Sequence, residues 1–292
     1  MRALTVPNWS FGRDPELLDV FRSALAGFDV AAHYAASDVD HNRTVTAFSG
    51  ETGEVEKALL RLCEAAFGRI DMRRHQGVHP RIGALDVCPI VPLKEGDEAL
   101  REALALAERL AARIGDVYEV PVFLYERSER GRHEADLPNL RRGGFEGLLD
   151  RELSPDFGPS RPHPSLGVTV LGVREFLIAF NVDLATDQLA IAREIASEIR
   201  QYRADGDPRF LGVRALGFPL ASRRLAQVSL NLTLPDATGV DPIIEWIEQR
   251  AAINGVLISR TELVGVIRRQ DVERATELPI APEQVVEYSA KS

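Results

Sequence analysis

The chain predicts an α+β fold built from two units of the same element order, and three observations carry that expectation. Its 292 residues exceed the roughly 100 to 150 of a typical domain. Apolar residues recur at helical spacing in some segments and alternate at strand spacing in others. The order of these segments, βαββαβ, occurs once in each half.

In the first half, a short strand over residues 3–7 precedes a helix over 14–26, where Leu17, Leu18, Phe21 and Leu25 share a face and Gly27 stops the helix. Strands are expected over 29–34 and 43–48. A helix over 55–67 has Leu59, Leu60, Cys63 and Phe67 as its apolar stripe, and a strand over 85–91 closes the unit. In the second half the elements are a strand at 176–184, a helix at 187–200, strands at 212–217 and 226–234, a helix at 241–252 and a strand at 256–262. This is the split-βαβ, ferredoxin-like order, which gives mostly antiparallel sheets facing a cleft with helices outside. The division is expected at 1–173 and 174–292.

Strict alternation from Gln227 to Leu234 directs Val228, Leu230, Leu232 and Leu234 toward the helices and Gln227, Ser229, Asn231 and Thr233 to the other face. Phe176, Ile178, Phe180 and Val182 alternate in the same way with a row ending in Asn181 and Asp183. Amides and hydroxyls, where an exposed sheet usually carries Lys and Glu, point to a polar cleft. An ordinary exposed face is the alternative. Between the halves come a helix at 97–114, a strand at 120–125 and a charged stretch at 126–153 that reads as solvated surface. A proline-rich connection at 155–167 follows. It serves either as a linker or, with Phe157 and His163 buried, as a wall beside a flat ligand.

The 45% apolar fraction is ample for real cores, and 35 Lys plus Arg against 44 Asp plus Glu give a net charge of -9. That sign disfavours a phosphate backbone, so no nucleic-acid partner is expected, although a local basic pocket is compatible with it. Cys63 and Cys88 form no regular framework and read as buried thiols of a reducing compartment. The chain opens without a signal-like stretch, and no run approaches the ~18 apolar residues of a membrane span. A cytoplasmic protein with no membrane partner is expected.

The densest chemistry lies in the run from His75 to Pro89, where His75, His79, Arg81 and Asp86 crowd a loop punctuated by Gly77 and Gly83. Pro80 pushes His79 out of helical conformation. An imidazole, with a reference pKa of roughly 6.5, can take up and return a proton at cellular pH. His75 and His79 have the spacing of a zinc-binding helix, but Gly77 and Pro80 oppose that helix and no third ligand is evident, so no metal is expected. A structural histidine that only ties the loop is the remaining alternative.

These segments together resemble the glutamate formimidoyltransferase family, the formiminotransferase half of formimidoyltransferase-cyclodeaminase. The resemblance runs through Val6-Pro7-Asn8-Trp9-Ser10, Asp40-His41-Asn42-Arg43-Thr44-Val45, and Ile70-Asp71-Met72 into the histidine loop and Cys88-Pro89. It continues in Asp156-Phe157-Gly158-Pro159, the strand ending in Asn181, Ala226-Gln227-Val228-Ser229-Leu230-Asn231-Leu232 and Glu262-Leu263-Val264-Gly265. It implies transfer of the formimino group from N-formimino-L-glutamate to N5 of tetrahydrofolate, a step of histidine degradation, with tetrahydrofolate as co-substrate and no tightly bound cofactor. The chain ends soon after this portion, so no cyclodeaminase step is expected.

The resemblance carries the catalytic role to His79, as general base and then general acid. Asp86 is a weaker candidate for orienting it. Folate is expected between the two subdomains, with Gly158, Pro159, Ser160, Arg161, Pro162, His163, Pro164, Ser165, Leu166 and Gly167 contributing. Asp40 and Glu262 are candidates to favour a cationic amidinium intermediate, and Arg43 and Arg81 to hold substrate carboxylates. Asn8, Asn42, Asn181, Gln227 and Asn231 complete the candidate binding set. Family members commonly form homodimers. Formyl transfer between glutamate and folate, or folate binding without turnover, are the alternatives. Phe11 stands where many relatives carry an acidic residue, and Val78 and the segment Val266-Ile267-Arg268-Arg269 also depart from familiar versions, which a surface position would equally explain.

Overall fold

The computed structural model describes residues 1–132 and 141–289. The chain divides into two compact units, one of Met1–Arg174 with Ser289 and one of Glu175–Tyr288. Within the charged stretch expected at 126–153, residues 133–140 lie outside the described residues.

In the first unit, β1 (Arg2–Thr5) and β2 (Asn8–Trp9) share one slot between β4 (Arg43–Glu51) and β5 (Leu85–Pro92), pairing antiparallel with both. The slot is divided at Pro7, which has no N–H to give to a ladder. β3 (Val30–Asp38) pairs with the outer edge of β4. On the far side of β5 lie β7 (Thr169–Val173) and then β6 (Val122–Leu124), both in parallel pairing. The sequence pattern does not reveal β7. Its five residues are all buried and apolar or small, so it has no alternation to betray a strand, as expected for a parallel strand covered on both faces.

Helix α1 (Pro15–Leu25) starts where the Asp14 carboxylate accepts from the Leu17 N–H at 2.9 Å, with Pro15 in the first turn. Leu17, Leu18, Phe21 and Leu25 are buried and pack with Leu59, Leu62 and Cys63 of α2 (Thr52–Phe67) in a single core. The third helix, α3 (Asp97–Tyr118), runs one turn past the expected end and stops at Glu119, which has a left-handed φ of 53°. Leu106, Leu110 and Ile114 extend the same core. Cys63 and Cys88 are buried free thiols within it, and burial pushes the Cys88 thiol up to about 12.

In the second unit, β8 (Ile178–Leu184), β9 (Val213–Leu220), β10 (Leu225–Leu232) and β11 (Ile258–Val264) form an antiparallel sheet in the order β11-β8-β10-β9. Helix α4 (Leu189–Ala204) packs on β9 and β10, and α5 (Asp241–Ile253) packs on α4. Val228, Leu230 and Leu232 are buried as expected. Leu234 is not: β10 ends at Leu232 and Leu234 is half exposed. Two short strands, β12 (Ile267–Arg268) and β13 (Val285–Val286), pair in parallel beyond the sheet. Val266, Ile267 and Arg268 are buried, so the surface explanation fails for them and, within that segment, holds only for exposed Arg269. Arg268 pairs with Asp271 and Asp236 and lies over the rings of Phe176 and Tyr288. Among the described residues no helix is long and apolar enough to cross a membrane.

Candidate functional site

The histidine loop folds against the turn joining β3 to β4. In that turn the Asp38 carboxylate accepts from the N–H groups of Asp40 and His41 at 2.9 and 2.8 Å. Asn42 then takes a left-handed φ of 48° and acts as the hub: its Oδ1 accepts from Gly12 N, its Nδ2 donates to the Gln76 carbonyl, and its own carbonyl accepts from His75 Nε2 at 2.7 Å. Val78 N donates to the Asp40 carbonyl at 3.2 Å. The approach is close enough that a Cβ on Gly77 would lie 2.2 Å from the His41 carbonyl oxygen, which is why glycine stands there.

These hydrogen bonds separate the two loop histidines. Because His75 donates through Nε2, its Nδ1 is the acceptor for Arg81 Nε at 3.2 Å. Burial, then the charges of Arg81 and Arg13, hold it below the usual histidine range, so it is a neutral tie within the loop. His79 has the opposite tautomer. Its Nδ1 faces the Pro80 carbonyl at 2.8 Å, an acceptor only, and its Nε2 faces Arg43 Nη1 at 2.7 Å, a donor only. The unprotonated nitrogen is therefore Nε2. Removal from water lowers the His79 pKa well below the usual range, and the charges of Arg43 and Arg141 and the neighbouring His41 lower it further, so the ring is neutral at pH 7. The rings of His41 and His79 lie 5.7 Å apart.

A narrow hollow opens here, lined by Trp9, Ser10, His41, Asn42, Arg43, His75, His79, Arg81 and Asp86. The expected link from Asp86 to His79 gives way to another arrangement. Buried Asp86 accepts from Ile82 N at 2.7 Å and contacts the Arg141 guanidinium. His79 is oriented instead by the carbonyl of Pro80. Both ends of the Arg81 fork lie on Glu146, at 2.8 and 2.6 Å, and hold that carboxyl down to about 2, so this guanidinium is already engaged. Arg141 escapes a reading of the sequence because it sits in the charged stretch that resembles surface. His41 is visible there only as part of the Asp40-His41-Asn42-Arg43 run.

The other candidates lie elsewhere. Asn8 donates to the Val6 carbonyl at 3.1 Å, and Asp40 is buried in the turn. The connection at 158–167 ends in a tight turn where His163 N and Gly167 N exchange hydrogen bonds with each other's carbonyls, and His163 Nδ1 accepts from Leu166 N at 3.0 Å. Gly158, Pro159, Ser160 and Arg161 are exposed, whereas Pro162, Leu166 and Gly167 are buried. Phe157, expected to be buried beside a ligand, instead packs on the core of the first unit with Arg130 over its ring, and His163 is only half-buried. In the second unit Asn181 donates to Glu262 at 3.2 Å and buried Gln227 donates to buried Asp183 at 2.7 Å, while Asn231 is exposed. Arg260 and Arg223 also approach Asp183, so this face is charged as well as polar. Among the described residues no group of three or more His, Cys, Asp or Glu side chains is arranged to hold a metal ion.

Comparison with known proteins agrees along most of the chain. The family described as the formiminotransferase domain, N-terminal subdomain, matches residues 2–174, and the formiminotransferase domain matches residues 179–291. Glutamate formimidoyltransferase of Streptococcus pyogenes serotype M1 is 35% identical over 89% of this chain and 87% of its own length. That of Thermoplasma acidophilum is 36% identical over 91% and 88%. Formimidoyltransferase-cyclodeaminase of Sus scrofa is 39% identical over 90% of this chain, which spans 49% of that longer relative. The chain belongs to the formiminotransferase family.

Proposed function

We propose that this protein is a glutamate formimidoyltransferase, which moves the formimino group from N-formimino-L-glutamate to N5 of tetrahydrofolate and so serves histidine degradation. The family membership and the names of its relatives support this reading. The observation that carries it to individual atoms is the His79 tautomer, with Nδ1–H fixed on the Pro80 carbonyl and Nε2 unprotonated in a hollow beside Arg43.

N5 attacks the amidine carbon and gains positive charge. Once Arg43 turns from Nε2 to a substrate carboxylate, His79 Nε2 removes the N5 proton as the tetrahedral intermediate forms. The same proton passes to the α-nitrogen of the glutamate, whose bond to the former amidine carbon breaks, leaving 5-formiminotetrahydrofolate and glutamate. The exchange is redox-neutral, and the proposal includes tetrahydrofolate as co-substrate and no tightly bound cofactor, as the family resemblance implies. A base of depressed pKa is ready in its neutral form, and much of the rate comes from holding two substrates in register.

Arg43 is the carboxylate-binding candidate that the geometry favours, because it lies against the reacting imidazole, whereas both ends of the Arg81 fork are held by the Glu146 carboxylate. Asp40 and Glu262 remain candidates to favour the cationic intermediate. Residues 158–167, with Asn8, Asn42, Asn181, Gln227 and Asn231, remain the candidate folate and substrate contacts. The strand order of the second sheet, and the order β3-β4-β1-β5 within the first, support reading each unit as ferredoxin-like. A cytoplasmic homodimer completes the proposal.

The test is to mix purified protein with formiminoglutamate and tetrahydrofolate and follow the new folate species optically. Turnover with the formimino donor is expected. Turnover only with formylglutamate would replace the donor, and tight folate binding without turnover would make the protein a carrier.

A further inference from the structure

Residues 141–151 are fastened to the histidine loop at three points. Phe145 is buried in the core and its N–H donates to the Arg81 carbonyl at 3.0 Å. Glu146 takes both ends of the Arg81 fork. Arg141 lays Nη2 against the carboxylate of Asp86, which lines the same hollow as His79. The Arg141 side chain is only 15% exposed, and its buried Nε makes no hydrogen bond. A guanidinium presents Nε and Nη donors as a fork matched to a carboxylate, and here one prong is unused. Arg141 also lies close enough to Arg43 for the two charges to oppose each other, an arrangement that an intervening anion relieves. Burial and Arg43 lower Arg141 to about 9, so it stays a cation at neutral pH.

We propose that Arg141, held by Asp86, joins Arg43 in gripping the α-carboxylate of the formimino donor, which makes it a donor-specificity residue; this rests on the function proposed above. The donor's own covalent structure selects that carboxylate. Its reacting nitrogen is bonded to the carbon that bears the α-carboxylate, so a carboxylate oxygen lies within about 3 Å of the nitrogen by ordinary bond lengths. Bringing that nitrogen to His79 Nε2 therefore brings the carboxylate to the Arg43 guanidinium, 2.7 Å from the same atom. Asp86 is then a positioning residue. Donor binding has a second effect: its negative charge offsets the cations beside His79, and the imidazole becomes a stronger base only when there is a donor to act on.

The test compares wild type with Arg141→Gln, Arg141→Lys and Asp86→Asn, varying the two substrates separately and checking folding by circular dichroism. Loss of a charge-assisted pair is expected to raise the donor KM of Arg141→Gln roughly 10- to 100-fold, with the tetrahydrofolate KM within about twofold of wild type. Arg141→Lys should recover part of the loss, and Asp86→Asn should shift the donor KM in the same direction. In parallel, saturating L-glutamate is expected to raise the His79 pKa, followed by NMR, in wild type but not in Arg141→Gln. A folded Arg141→Gln protein with an unchanged donor KM, or a loss confined to the tetrahydrofolate KM, overturns the inference. Should Arg141→Gln not fold, the lysine variant decides in the same way. A wild type that does not turn over formiminoglutamate would refute the proposed function instead, and the glutamate titration would still judge Arg141.

Discussion

Replacing Gly83 by alanine tests how the histidine loop is held. Gly83 is the residue at which the chain leaves that loop for β5, and it lies against Gly167 across an isolated antiparallel bridge. A Cβ at Gly83 would meet the Val168 carbonyl oxygen at 1.8 Å and its carbon at 2.8 Å. Both are backbone atoms, so no rotamer change relieves the clash, and the oxygen must move out to at least 3.0 Å. That separation acts on the hydrogen bonds from Val168 N to the Ile82 carbonyl and from Ala84 N to the Leu166 carbonyl, at 3.0 and 2.9 Å. Losing two such bonds at about 1 kcal/mol each, with about 1–3 kcal/mol of overpacking, gives a destabilisation of about 3–5 kcal/mol. The assay is urea unfolding, where the midpoint is expected to fall by at least about 1 M. Gly53→Ala is the control: it lies in the first turn of α2, and a methyl group added there would meet nothing within 4 Å. It should stabilise by up to about 1 kcal/mol. A Gly83→Ala protein that unfolds at the wild-type midpoint would refute the steric argument.

Stability should fall with acid. His75 and His79 are held below the reference value of 6.5, so below about pH 6.5 the unfolded chain binds protons that the folded chain does not, and stability rises with pH through that window. The slope is at most about 1.4 kcal/mol per pH unit for each histidine, measured as the melting temperature between pH 7 and pH 5. For the same reason the acid limb of kcat/KM is expected below pH 6.5, and a limb above it would contradict the assigned environment. Arg268→Ala strands buried Asp271 and is expected to cost about 3–5 kcal/mol, whereas Arg268→Ala with Asp271→Ala should cost less than the separate losses combined, read by denaturant unfolding. Phe11 is buried edge-on against Phe21, so Phe11→Leu should cost less than about 2 kcal/mol and leave turnover per folded molecule unchanged.

Local signals make much of the fold legible. The Asp14 cap, Pro15 and the stripe through Leu25 define α1 without reference to anything distant, and alternation from Gln227 to Leu232 defines β10 and its buried face. β7 stays hidden because a doubly covered strand loses its alternation and because it follows a proline-rich stretch that resembles a linker. The residue types of the candidate site are also visible, since His79 and Asp86 stand out by their chemistry alone and Arg43 through the family resemblance. Their partners are not. Arg81 meets Glu146 across 65 positions of sequence, and Asp86 meets Arg141 from a stretch whose composition reads as solvated surface. Such pairings depend on how Phe145 enters the core, a tertiary fact that charge pattern does not encode.

The account depends most on the imidazole at position 79. The measurement that reaches it directly is the turnover number of His79→Gln with formiminoglutamate and tetrahydrofolate, alongside folate binding by the same preparation. Loss of general acid–base transfer is expected to lower kcat by about 10²- to 10⁴-fold while folate still binds. A folded His79→Gln enzyme turning over at the wild-type rate would contradict the mechanism.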